Sequence, residues 1–187
     1  MLQSGQRGQN PIFLAMFALV RAFADIALRR KGPQDLPASR FLLAATVLAY
    51  LLSQLPAAIL LPGSLDRSLL VVLADALLIG LSLAALLWLT GWLTRYLQTA
   101  TAVFGTSALL SVMTFPFYLW RAGLGDAQLD MALPTAAILM ILVWSFIVGG
   151  HILAEALSKP FVLGLIIAIA YFFVHMNLLF LIVPASE

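Results

Sequence analysis

The chain has 187 residues, 63% of them hydrophobic and 10% charged, with a mean hydropathy of +1.07. A soluble domain carries roughly 25% charged residues, so a water-covered globule is excluded, and runs of about twenty apolar residues make the chain an integral membrane protein. The lack of cysteine excludes disulfides, iron–sulfur clusters, thiolate metal sites and cysteine nucleophiles, and the net charge of +2 informs only through where the charges fall.

The opening residues, MLQSGQRGQN, are polar. Pro11 suits the first turn of a helix, which continues through IFLAMFALVRAFADIALRRK. On a helical wheel Arg21, Asp25 and Arg29 fall on one side, and Ile12, Met16, Leu19, Val20 and Phe23 cluster on the other. A broad apolar face with a charged stripe and a basic end predicts a helix lying in the membrane surface, its charges spaced for i,i+4 pairing. Arg29, Arg30 and Lys31 are placed to meet anionic lipid headgroups, at about 1 kcal/mol for each basic residue near the surface. The stretch also imitates a secretion signal ending at Ala22-Phe23-Ala24. Arg21 interrupts it just before that point, and cleavage would leave three basic residues leading an exported chain, so the segment is read as retained.

GPQDLPAS, with two prolines and a glycine, reads as a linker. Residues 1–39 therefore form a cytoplasmic segment of amphipathic helix and linker. Residues 40–187 hold five apolar segments, at about 40–61, 69–93, 100–120, 132–154 and 160–183. Pro56 and Pro116 lie inside the first and third, where a spanning helix tolerates proline with a kink. The separators PGSLDRS, TRYLQTA, RAGLGDAQLD and ALSKP are short, so neighbouring spans should be antiparallel. The predicted fold is all-α: a polytopic bundle of five transmembrane helices plus the N-terminal interfacial helix.

Six basic residues precede the first span, and Arg95 and Lys159 lie in the second and fourth connections, whereas Arg67 and Arg121 lie in the first and third. The positive-inside rule puts the amino terminus in the cytoplasm of a bacterial inner membrane and the carboxyl terminus outside. Trp92 with Tyr96, and Tyr118 with Trp120, mark boundaries. No internal repeat supports an inverted-repeat transporter.

Ionisable residues within spans are functional candidates because burying them is expensive. Asp75 lies about two turns into the second span, and His175 a similar distance from the outer end of the fifth, so the two share a depth of roughly 10–12 Å. They are a candidate intramembrane pair, able to relay protons or sense pH; the plainer alternative gives each its own local partner. His151, Glu155 and Lys159 step every fourth residue down the inner end of the fourth span. His151 and Glu155 could offer two metal ligands, but a catalytic zinc needs three. The ladder is read as an interfacial helix end with a Glu155–Lys159 pair, beside a Gly149-Gly150 step that permits close helix contact. No phosphate loop, HExxH or GxSxG occurs, and no catalytic residue, metal or cofactor is assigned. Small residues on the second and third spans, among them Gly80, Ser82, Ala84 and Ala85, suit bundle packing or a partner face.

The basic amino-terminal region, the GPQDLP linker, five close-set spans and a third span reading ATAVFGTSALLSVMTFPF together resemble the Yip1-like membrane proteins, in particular their loosely defined bacterial members. The resemblance covers about residues 12–183. Where eukaryotic members carry a tyrosine-glycine-proline motif, this chain reads DLPASR. It implies a non-enzymatic membrane protein that works through partners or lipid, and it assigns no catalytic residues.

The function expected from these features is a non-catalytic one: an accessory or scaffold subunit of a larger membrane assembly, contacting lipid and other membrane subunits or itself, and not nucleic acid. The alternative is a small transporter or proton-coupled channel using Asp75 and His175.

Overall fold

A computed structural model of the chain describes residues 11–60, 65–124 and 131–182. The expectations for MLQSGQRGQN and for the PASE end fall outside these. Six α-helices follow one another: α1 Pro11–Ala27, α2 Arg40–Leu60, α3 Leu65–Leu89, α4 Tyr96–Gly123, α5 Ala132–Leu157 and α6 Phe161–Ile182. Among the described residues, four are long and apolar enough to cross a membrane, over Asp66–Leu89, Leu93–Gly123, Ala132–Leu157 and Phe161–Leu179, and α2 carries a shorter apolar stretch, Arg40–Pro56. Pro56 and Pro116 sit inside α2 and α4.

Helix α4 is central, packed on α1, α2, α3 and α5, while α6 joins α5 to α3 and closes a ring. In lipid the hydrophobic effect does not bring helices together, so small residues and polar contacts select neighbours. The small stretch of α4 does this internally: Thr99, Ala100, Thr101, Ala102, Gly105, Thr106 and Ala108 are all buried in the bundle. Thr99, Thr101 and Thr106 each donate their hydroxyl to the carbonyl four residues back, at 2.9, 2.6 and 2.7 Å. They therefore bury as compact, satisfied groups. On α3, Leu69, Leu73, Leu77 and Leu81 recur every fourth residue and are all exposed, an apolar stripe suited to lipid. Its inward residues Ala76, Leu83 and Leu87 are buried.

Helices α5 and α6 approach to backbone distance. A Cβ at Gly150 would lie 2.8 Å from Leu165 Cα, and one at Gly164 would lie 2.7 Å from Ala154 N. The Phe146 and Phe172 rings meet edge to face, 5.0 Å apart.

One end of the bundle holds the α1–α2 segment, Arg95 and Lys159, and is called here the basic end. There the segment 31–36 is docked rather than loose. Pro33–Asp35 forms a 3-10 turn, closed by Asp35 accepting from Gly32 N at 2.8 Å, and Leu36 is buried. Phe23, Ile26 and Ala27 of α1 bury against Ala102, Val148 and Ile152, and Trp144 Nε1 donates to the Ala27 carbonyl at 3.1 Å.

Three charge pairings expected from helical spacing, Arg21–Asp25, Asp25–Arg29 and Glu155–Lys159, do not form. Helix α1 ends at Ala27 and Arg29 is left-handed (φ 59°), so Arg29 leaves the stripe and stacks over the Phe161 ring at 3.9 Å. Asp25 pairs with Lys31 instead, at 3.5 Å. Likewise α5 ends at Leu157 and Ser158 is left-handed (φ 53°), which carries Lys159 off the helix face of Glu155.

Gly150→Leu should lower stability by about 1–3 kcal/mol, because the α6 backbone has no room to move aside. Gly149→Ala, whose Cβ would meet Ala168 at 3.7 Å, should leave stability unchanged or slightly raised. Thermal unfolding in mild detergent compares the two.

Candidate functional site

The ring of α2–α6 surrounds a partly open chamber of about 750 Å³, within the size range of small-molecule sites. It runs from Arg67, Tyr118 and Ile138, toward the end opposite the basic one, down to Leu83, Val103, Leu153 and Ala168. Below that level Leu87, Ala100, Ala156 and Leu157 are buried together and seal the bundle toward the basic end.

Three helices meet at one carboxylate on the chamber wall. His175 Nε2 lies 2.7 Å from Asp75 Oδ1. The Tyr50 hydroxyl donates to the other oxygen, Asp75 Oδ2. Asp75 and His175 are thus in direct contact, and α2 supplies a donor that reading the chain by depth did not include. Behind Tyr50 the bonds continue: Gln54 Nε2 donates to Tyr50 Oη at 3.1 Å, and Ser111 Oγ donates to Gln54 Oε1 at 2.9 Å. A polar chain therefore runs from α6 through α3 and α2 to α4. The His175 ring stacks near Tyr171, with centroids 6.0 Å apart, and the Tyr171 hydroxyl lies 2.7 Å from Ser82 Oγ and 3.2 Å from the Ile79 carbonyl. His175 is 7% exposed, and its second ring nitrogen, Nδ1, is buried with no hydrogen-bond partner among the described residues.

While Asp75 is ionised it only accepts, so Nε2 carries a hydrogen whether the ring is neutral or charged. A neutral ring then presents Nδ1 as an acceptor, and a protonated ring presents it as a donor.

Tyr50, Gln54, Ser111 and Tyr171 carried only a faint signal in the sequence. Tyr50 and Gln54 stand four apart in one span, as do Ser107 and Ser111 in another, all lining the chamber. Polar residues repeating at helical spacing inside an apolar run mark one face, but not which neighbour that face meets.

His151, Glu155 and Lys159 lie far from this chamber's polar wall, at the basic end. His151 Nε2 donates to the Lys31 carbonyl at 2.8 Å, and the Glu155 carboxylate accepts from Gln34 Nε2 at 2.9 Å. Gln98 Nε2 donates to the Leu36 carbonyl at 2.7 Å, and Arg95 Nη1 caps the end of α5 through the Glu155 and Ala156 carbonyls, at 3.1 and 2.9 Å, and Ser158 Oγ at 2.8 Å. These residues tie the α1–α2 segment and α4 to α5. Among the described residues no three His, Asp or Glu side chains come together as a metal site. Arg30 is exposed nearby.

No family model, curated protein or solved structure matches the chain. None of these comparisons supports the expected likeness to Yip1-like proteins.

Asp75→Leu alone should leave the Tyr50 and His175 donors without their acceptor, at about 1–3 kcal/mol for each buried group left bare. Asp75→Leu combined with His175→Leu and Tyr50→Phe should recover most of that loss, since an apolar replacement of the whole cluster removes the unmatched groups. Unfolding midpoints in detergent read the difference. Equal destabilisation in the single and triple variants would show that the cluster is not energetically coupled.

Proposed function

We propose that this chain is a small five-span transporter that moves a solute in exchange with, or together with, protons, using Asp75 and His175. The observation that carries the reading is the 2.7 Å contact between these two ionisable side chains on the wall of a chamber of about 750 Å³ that is sealed toward the basic end. Ionisable groups inside a membrane bundle are costly and mark ion or substrate pathways. An imidazole is the side chain whose charge most readily changes near neutral pH. A carboxylate beside it couples that change to the electrostatics of the chamber.

On this reading α2 crosses with the other four, because it runs beside α4 from the Tyr50–Phe104 ring contact to the Gln54–Ser111 bond. The basic end faces the cytoplasm of a bacterial inner membrane, and the chamber is entered from outside. Helix α1 lies in the inner leaflet, its Phe23 seated over Gly105 of α4. The accessory-subunit reading drew on the lack of a catalytic constellation, minimal loops and small-residue faces; the small-residue face of α4 is occupied by the chain's own helices, while Ala85 on α3 is exposed. The function proposed is not enzymatic.

The test is uptake into proteoliposomes under an imposed pH gradient, with a mixture of small solutes followed by mass spectrometry. At least one solute should accumulate in a gradient-dependent way, and Asp75→Asn should reduce that uptake about tenfold or more, the scale of losing one charge-assisted bond. Uptake unchanged in Asp75→Asn, or no uptake of any solute by the native chain, would overturn the proposal.

A further inference from the structure

The outward face of α6 is apolar except at one position. Gly164, Ala168, Tyr171 and His175 line the inner side of this helix, against α5 and the chamber. On the opposite side Leu163, Ile166, Ala170, Phe173 and Asn177 are all exposed. Their spacing of three, four, three and four residues is the a and d repeat of a supercoiled helix pair. Asn177 is unusual in its placement. Among the described residues of α2–α6, the other exposed charged or amide side chains are Arg40, Asp66, Arg121 and Glu155, and each lies within two residues of a helix end. Asn177 lies five residues before the end of α6.

The contact between His175 and Asp75 fixes its depth. Asp75 stands nine residues after Asp66, where the apolar stretch of α3 begins, and so about 13 Å below that point. Asn177 is two residues beyond His175 toward the same end, which places it about 10 Å below that point. The stretch Asp66–Leu89 has 24 residues and is about 36 Å long, roughly 6 Å more than the hydrocarbon of a bilayer. With that excess shared between the two ends, Asn177 sits about 7 Å inside the hydrocarbon. Its side chain is too short to reach the headgroups from there as a lysine or arginine would. One amide N–H of Asn177 goes to the Phe173 carbonyl at 2.7 Å. The second N–H and Oδ1 have no partner among the described residues and face lipid. A bare amide in hydrocarbon is costly, so it favours a hydrogen bond to another helix.

We propose that two copies of this chain pair in the membrane through α6, with Asn177 of each copy bonded to Asn177 of the other. Geometry favours a second copy over a different protein. Two copies inserted the same way round are related by a two-fold axis along the membrane normal, so a residue beside the axis meets its own counterpart at its own depth. An amide is complementary to itself: the free N–H of each Asn177 donates to the Oδ1 of the other. A foreign helix would need a polar group at that same level. Ala170, two turns from Asn177, lets the two backbones approach, and Leu163, Ile166 and Phe173 pack across the seam. One polar residue in an apolar repeat also fixes the register of a helix pair. The stripe points away from the chamber, so each copy keeps a chamber of its own and the pairing does not depend on the transport reading.

The experiment uses the full chain in liposomes at a series of protein-to-lipid ratios. Association is read by energy transfer between copies labelled at Ala38→Cys, an exposed linker position in a chain that has no cysteine of its own. The labelled chain should dimerise reversibly, and Asn177→Leu should weaken that association about tenfold. Thermal unfolding of the Asn177→Leu chain at high dilution in lipid should be unchanged, because within one copy the side chain bonds only its own helix. Oxidative cross-linking of single cysteines gives the face: Ala170→Cys, Phe173→Cys and Asn177→Cys should link strongly, and Val162→Cys and Val174→Cys, exposed beside the stripe, weakly. A chain that stays monomeric at every ratio would overturn the proposal and leave Asn177 to lipid. So would a dimer indifferent to Asn177→Leu, or cross-linking that peaks at the exposed leucines of α3. A purified chain that is monomeric yet links from Phe173→Cys to a different protein in native membranes would assign the face to a foreign subunit and overturn it as well.

Discussion

A carboxylate inside an apolar bundle must be given hydrogen bonds by its neighbours, and the packing of this chain is arranged around that requirement at Asp75. Both of its oxygens are bonded, one to His175 of α6 and the other to Tyr50 of α2. Those partners set α3 between α2 and α6 at a common level. Since apolar side chains are as comfortable in lipid as against one another, directional bonds of this kind and close small-residue contacts decide which helices meet. The Tyr50–Gln54–Ser111 chain then brings α4 to α2. Four of the five ring helices are thus ordered by one connected set of polar groups.

Helix α5 is attached by different means. It contributes no bond to the carboxylate cluster, and its contacts are steric on one side and capping bonds on the other. Gly150 and Gly164 let it approach α6 to backbone distance, and Arg95 satisfies its last carbonyls. Terminal carbonyls of a helix have no partner within the helix, so a guanidinium from the α3–α4 connection makes the basic end of α5 part of the same body as α4. The docked 31–36 segment adds to this through Glu155, His151 and Gln98. On the transport reading, a conformational change that opened the chamber to the cytoplasm would have to separate these groups. The buried apolar layer of Leu87, Ala100, Ala156 and Leu157 would have to part as well, so such an opening separates deep packing in addition to these exposed bonds.

How much of this was legible in the residues differs by level. Hydropathy located α3 to α6 to within a few residues, because long apolar runs between short polar connections leave little choice. Counting residues from the ends also put Asp75 and His175 at one depth. It could not give the rotation of either helix about its axis, and so could not say that they touch. Tyr50 was harder still: a tyrosine in an apolar run looks the same whether it anchors an interface or donates to a buried acid. The pairings expected between Asp25 and Arg29 and between Glu155 and Lys159 assumed that the helices continued. Both stop short at a left-handed residue that is not glycine, Arg29 and Ser158, and helix endings of that geometry are normally announced by glycine. The residues of GPQDLPAS showed a linker but not what it docks on. Its order comes from Glu155 and Gln98, which are more than sixty residues away in the chain.

The amphipathic pattern of α1 shows how one sequence signal can serve two surfaces. Its inward face is Phe23, Ile26 and Ala27, against α4 and α5, while Met16, Phe17 and Val20 remain exposed. Phe23 sits over Gly105, nine residues into α4 and so about 13 Å from its start, and the Ala27 carbonyl meets Trp144, at least as far from the end of α5. Helices of 25 to 28 residues such as α3 and α4 exceed the roughly 30 Å hydrocarbon thickness, so some of that length lies outside it. On the transport reading α1 therefore rests several ångströms inside the leaflet, about the depth of an interfacial helix. Arg21 bounds how deep that can be: it is exposed, and its side chain must reach the headgroups along the helix surface. The exposed apolar residues then meet acyl chains while the buried ones meet the bundle. A single helix in this position covers the α4–α5 seam from the lipid side, so on the same reading any passage from the chamber toward the basic end must go through the apolar layer of Leu87, Ala100, Ala156 and Leu157 and the polar ties beyond it.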